Sequence, residues 1–120
     1  MTDNSPNMRV CMKYKRIYLS RSAISQIGNP THLSIRYDEQ GNVLYFSPAA
    51  QDDLDAYEIP NSFWTDIGKN CVIGRIAFLR ALQYRLGWED GGKYLFHGKV
   101  ILDGVIPVLV YLLAHGKKLQ

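Results

Sequence analysis

Apolar and polar residues alternate in the same order twice along this chain, once in each half. Arg16, Ile17, Tyr18 and Leu19 alternate with period two, as a half-buried strand does. Ser20 or Ser22 then offers a hydroxyl to cap a short helix whose inward face is Ala23, Ile24 and Ile27. Gly28 is a suitable left-handed stop, and Asn29-Pro30 prevents continuation. Leu33, Ile35 and Tyr37 form an alternating strand. The turn 38–42 carries Gly41 where a positive φ is expected, and Val43 to Phe46 returns the chain until Pro48. The second copy opens at Val72-Ile73. From about Arg75 to Leu86, Leu79, Leu82 and Leu86 fall at i, i+3 and i+7, with Phe78 widening the stripe, and Gly87 ends this helix. Lys93 to Phe96 and Lys99 to Leu102 follow, and Asp103-Gly104 signals a tight hairpin. Val105 to Leu113 is the most apolar strand. Pro107 cannot donate to a ladder, so it belongs at that strand's start, at an edge or at a bulge.

This recurrence predicts two strand–helix–hairpin units, about residues 9–49 and 71–114. An acidic connector, about 50–70, joins them, with Ile59, Phe63 and Trp64 tucked against the core; a flexible arm, 1–8, precedes them. Arg9 to Tyr14 reads as an extra edge strand. At 120 residues the chain is one domain, 1–120, long enough for a single core. That core is expected to hold Ile27, Leu33, Ile35, Leu79, Leu82, Leu86, Val108 and Val110. The expected class is α+β: a small, mostly antiparallel β-barrel with short helices.

Arg16-Ile17-Tyr18-Leu19, Ile27-Gly28 and Leu33 to Phe46 together resemble the swapped-hairpin fold of the AbrB, SpoVT and MazE-type bacterial transcription regulators. There a basic residue, two alternating apolar strand positions, a short helix ending Leu-Gly and a hairpin with an acidic turn follow one another. Arg75 to Leu113 is similar, with a longer helix. In that family two identical chains each supply half of an intertwined barrel, so the resemblance implies that this chain makes a pseudo-dimeric barrel by itself. It also implies duplex DNA as the ligand. The chain departs from the family in its first helix: Ile24 and Ser25 stand where many members carry a basic pair, and Ser20 stands where a proline often follows the strand.

Charge sharpens the picture. The formal net charge is only +3, but Met8 to Tyr37 holds Arg9, Lys13, Lys15, Arg16, Arg21 and Arg36 with no acid, and Tyr14 and Tyr18 are interleaved. Cations that displace counterions from phosphates, next to rings that accept bases, suit nucleic acid. The candidate contacts are Lys13, Lys15, Arg16 and Arg21, with Arg75 at the matching position of the second unit. The same charges on an edge strand would serve solubility alone. Asp38 to Gly68 has seven acids and no base, a segment able to neutralise the basic one. Arg75, Arg80 and Arg85 are five apart, so they wind around their helix and form no stripe.

Catalytic and metal patterns are lacking. His32, His97 and His115 have no partners at ligand or triad spacing, and Asp52, Asp53 and Asp55 lack the glycine and glutamate of a calcium loop. No enzyme activity, cofactor or metal is expected. Cys11 and Cys71 leave disulfide, buried thiol and free thiol open. The longest apolar run, Val105 to Ala114, is about half a membrane span, and the N-terminus has no apolar signal core; a cytoplasmic protein without a membrane partner is expected. Two functions compete. One is a DNA-binding transcription regulator or antitoxin-like protein that holds double-stranded DNA through its basic N-terminal strand. The other is an interaction adaptor for a protein partner that keeps the barrel without DNA binding. The chain is expected as a monomer (pseudo-dimer) or a homodimer.

Overall fold

The computed structural model describes residues 5–66 and 70–119. Strands β1 (Asn7–Cys11) and β2 (Arg16–Leu19) form a hairpin, and α1 (Arg21–Gln26) follows. Ser20 caps α1 by accepting a 3.1 Å bond from the Ala23 amide, and Gly28 leaves at φ 87°. Next come β3 (His32–Asp38), β4 (Val43–Pro48), β5 (Tyr57–Glu58) and α2 (Asn61–Thr65). The second half runs β6 (Cys71–Ile73), α3 (Ile76–Leu86), β7 (Lys93–His97), β8 (Lys99–Asp103) and β9 (Ile106–Leu112). A single 3-10 turn, Leu113–His115, leads to β10 (Lys117–Leu119). Gly87 closes α3 at φ 69°, the left-handed conformation glycine adopts without a Cβ clash.

The strands make two five-stranded antiparallel sheets. Sheet A has the order β10-β7-β1-β2-β6, and sheet B has β5-β3-β4-β9-β8. Both sheets draw strands from both halves: Ile17 pairs with Ile73 across β2·β6, and Phe46 with Leu109 across β4·β9. The expectation of two equal strand–helix–hairpin units is corrected here, because the halves differ by one element. Arg16 to Phe46 reads strand, helix, strand, strand, whereas Val72 to Leu112 has the additional strand β7, which leaves its neighbours β8 and β9 to pair in sheet A. Only Gly98 separates β7 from β8. Among the described residues no helix is long and apolar enough to cross a membrane.

Three further expectations are corrected. β1 is the middle strand of sheet A, not an edge, because β7 pairs along its whole length from Asn7·His97 to Cys11·Lys93. The N-terminal arm is shorter than expected: Asn7 and Met8 already belong to β1, and Met8 is fully buried. In the β3–β4 turn the positive φ falls on Asn42, at 52°, not on Gly41; asparagine tolerates this conformation better than other side chains. Residues 1–4 of the expected arm and 67–69 of the expected connector lie outside the described residues.

One hydrophobic cluster takes Met8, Val10 and Phe96 from sheet A, Leu33, Leu44, Phe46 and Tyr111 from sheet B, Ile24 from α1, Phe63 from α2, and Leu79 and Leu82 from α3. Ile27 belongs to it, and Ile35 and Leu86 pack against it half-buried. Ile59 and Phe63 are buried and Trp64 packs beside them, so the connector is anchored as expected. Val108 and Val110 are buried as expected but in a second, smaller cluster with Val43 and Tyr45. Pro107 enters near the start of β9, before the ladder to β4 begins at Leu109.

Tyr111 is a polar exception inside the core. Its ring is fully buried edge-on to Phe46 at 5.8 Å, and its hydroxyl has no hydrogen-bond partner among the described residues. Burial holds that hydroxyl well above the usual tyrosine range. An unmet buried hydroxyl costs free energy, so Tyr111→Phe is expected to be neutral or to stabilise the fold by about 1 kcal/mol in urea unfolding. A loss of more than that would mean the hydroxyl has a partner.

Candidate nucleic-acid interface

Alternation along sheet A sends Met8, Val10, Ile17, Leu19, Tyr94 and Phe96 inward and the residues between them outward. The strand registers then assemble the outward face. One row reads Lys117, Leu95, Arg9, Tyr18, Val72, and the next reads Leu119, Lys93, Cys11, Arg16. Every charged residue in these rows is a cation, and Arg9, Arg16, Lys93 and Lys117 are exposed. Among the described residues no carboxylate lies within ion-pair distance of Arg9, Lys13, Arg16 or Lys93.

The tyrosines brace the cations. The Arg9 guanidinium lies over the Tyr18 ring at 5.8 Å. At the hairpin tip, Lys13 and Arg16 both lie over Tyr14, at 5.4 and 5.8 Å. Each ring's negative face attracts the charge and limits its freedom, which lowers the entropy lost when a phosphate is bound. A shallow cavity of about 300 Å³ opens among Arg9, Cys11, Tyr14, Tyr18, Lys93 and Leu119. The tip is anchored from below: Met12 is fully buried, and its amide donates a 2.8 Å bond to the Gly92 carbonyl.

The predicted site residues separate into three groups. Lys13 and Arg16 stand on this face. Lys15 does not, because at φ 53° it folds back, donating to the Met12 carbonyl at 2.7 Å and pairing with Asp90 at 3.3 Å. Arg21 is half-buried and joins α1 to the end of α2: it donates to the carbonyls of Phe63 and Asp66 and stacks over the Phe63 ring at 4.1 Å. Arg75 is exposed just before α3 but lies over Tyr57 at 5.6 Å, and Tyr57 is tied to β6 by a 2.7 Å bond to the Val72 carbonyl. Burial raises the Tyr57 hydroxyl, with Arg75 pulling the other way.

Sequence reasoning missed Lys93 and Lys117 and left Arg9 off the site. Their signal is weak, because an outward lysine on any strand looks the same. Only pairing of β7 and β10 beside β1 gives it meaning. In α1, at the family's basic positions, Ile24 is fully buried and Ser25 is exposed. Both cysteines are free and buried, and burial pushes the Cys71 thiol up to about 11, which disfavours its thiolate. No group of three or more metal-ligating side chains occurs among the described residues. Compared with family models, with curated proteins and with solved structures, the chain matches none.

Proposed function

We propose that this protein binds duplex nucleic acid through the outward face of sheet A, with Arg9, Lys13, Arg16 and Lys93 on backbone phosphates. One observation carries the reading: a middle strand, not an edge, displays Arg9 beside Tyr18 in rows whose charged residues are all cations. Solubility of an exposed edge therefore does not account for these charges. The tyrosines already lie against cations, which favours phosphate contact over base stacking. In the cell this would be the work of a DNA-binding transcription regulator or antitoxin-like protein, as the swapped-hairpin resemblance implies.

The pairing order supports the family reading. The first strands of the two expected units, β2 and β6, pair with each other, and so do the returning arms of the two hairpins, β4 and β9. In this reading β7 is an insertion between α3 and the second hairpin, and the units are otherwise equivalent halves of a swapped-hairpin barrel. The adaptor reading draws on α1, where the family's cations are replaced by a core isoleucine and a serine.

Fluorescence anisotropy with one mixed-sequence duplex separates the two. Binding should weaken steeply with salt, and Arg9→Ala, Arg16→Ala and Lys93→Ala should each reduce the log–log slope by about one. Lys15→Ala and Arg21→Ala should leave the slope unchanged, since those cations are occupied within the molecule. A single strand of the same sequence should bind more weakly. Absence of binding at low salt and tens of micromolar protein would leave the adaptor reading standing, because non-specific binders reach about 10⁻⁴ to 10⁻⁶ M even at physiological salt.

A further inference from the structure

Strand β8 ends sheet B, with β9 on one side and, among the described residues, no strand on the other. Ile101 is 41% exposed and Leu102 71%, and the adjoining turn shows Val105 at 92% and Ile106 at 48%. Proteins usually protect such an edge with central charges, a proline, a bulge or a cover. Here the charges, Lys99 and Asp103, sit only at the two ends and have opposite signs. We propose that this edge pairs with the β8 edge of a second copy of the chain, antiparallel about a two-fold axis at Ile101, giving a homodimer with one continuous sheet.

The order Lys99-Val100-Ile101-Leu102-Asp103 is complementary to itself in this register. Lys99 faces Asp103 of the second copy, Val100 faces Leu102, and Ile101 faces itself. Every cross-strand pair is then apolar or oppositely charged, the combinations that stabilise a ladder. Sliding by two residues puts Ile101 opposite Asp103 or Lys99, and parallel alignment sets each charge beside its own kind. A two-fold axis uses the same patch on both copies, so the Lys99·Asp103 and Val100·Leu102 pairs each occur twice, and Ile101 meets its counterpart once on the axis.

The backbone fits the same register. Asp103 pairs with Ile106 around the two-residue turn Gly104-Val105, and Gly104 takes φ 65°. Such a turn closes on a hydrogen-bonded pair, so the backbone groups of Lys99, Ile101 and Asp103 point to β9. Those of Val100 and Leu102 point to the open edge, where two Val100·Leu102 pairs would exchange their bonds. Ile101 would meet its counterpart as a non-bonded pair with Cα atoms about 4.5 Å apart. Its β9 neighbour Val108 belongs to the apolar cluster with Val43 and Val110, which the second Ile101 would extend.

Sedimentation equilibrium of the full chain, from micromolar to sub-millimolar concentration, should show a reversible dimer. Lys99→Asp or Asp103→Lys alone should weaken it about tenfold or more, and the double reversal should restore it. Ile101→Cys should form a disulfide-linked dimer under mild oxidation, because about 4.5 Å lies within the disulfide range, whereas Val100→Cys, set diagonally from its counterpart, should not. If a charge reversal disturbs folding, the two cysteine variants decide alone. A monomer at all concentrations, a dimer unmoved by the reversals or unrestored by the double exchange, or linkage at Val100 instead of Ile101 would overturn the proposal. The basic face lies on the other sheet, so loss of DNA binding and loss of the dimer are separate outcomes.

Discussion

Leu82→Ala is expected to cost about 2–5 kcal/mol of folding stability, since removing the buried side chain forfeits its transfer energy and leaves a cavity. Leu82 is 2% exposed and sits in the main core with Leu79, on the inward face of α3. Helix propensity changes little, because leucine and alanine are both strong helix formers. The loss is therefore one of packing. Urea unfolding should show a lower midpoint with an unchanged slope, as the same surface is exposed on unfolding. A cost below about 1 kcal/mol would show that the site collapses freely around the missing atoms.

Gly98→Ala is expected to cost about 1–3 kcal/mol, although it adds a single methyl. The Tyr111 ring lies directly against the Gly98 backbone, so a Cβ there would overlap its Cδ1, Cε1 and Cζ atoms. Tyr111 cannot retreat easily, being fully buried and braced by Phe46. The chain also changes sheets at this residue, so a shift would be felt in β7 and β8 together. If the clash is the cause, Tyr111→Leu should rescue much of the loss in the double variant, a coupling that thermal unfolding of the four-protein cycle measures. Additive losses would refute this account.

What the sequence carried was local. Period-two alternation placed β2, β3 and β4, the i, i+3, i+7 leucines placed α3, and serine and glycine marked the helix ends. Asp103-Gly104 located the β8–β9 hairpin for the same reason: turn chemistry acts over four residues. What it could not carry was the identity of distant neighbours. β1 looked like an edge because its partner β7 lies some 90 residues away, as the His97–Asn7 contact of 2.9 Å illustrates. Lys15 looked like a free cation because Asp90 lies 75 positions away, and Arg21 because the carbonyls it meets belong to Phe63 of α2 and to Asp66 just after it. The site followed the same rule. Its tip, Lys13 to Arg16, is continuous and was legible, whereas Lys93 joins it only through strand pairing.

The way the two halves share both sheets has a kinetic consequence. Each of β1·β7, β2·β6 and β4·β9 joins residues that are more than 50 positions apart in sequence. The entropy of closing those long loops must be met before either sheet is complete, which slows folding toward milliseconds to seconds for a chain of this length. Until then hairpins such as β8–β9 stand with their apolar residues in water, where self-association competes with folding. A nascent chain released before β9 is made would lack the strand that joins β4 to β8 and so could not complete sheet B. Residues 93–119 thus act less as an appendage than as the closing seam of the described fold.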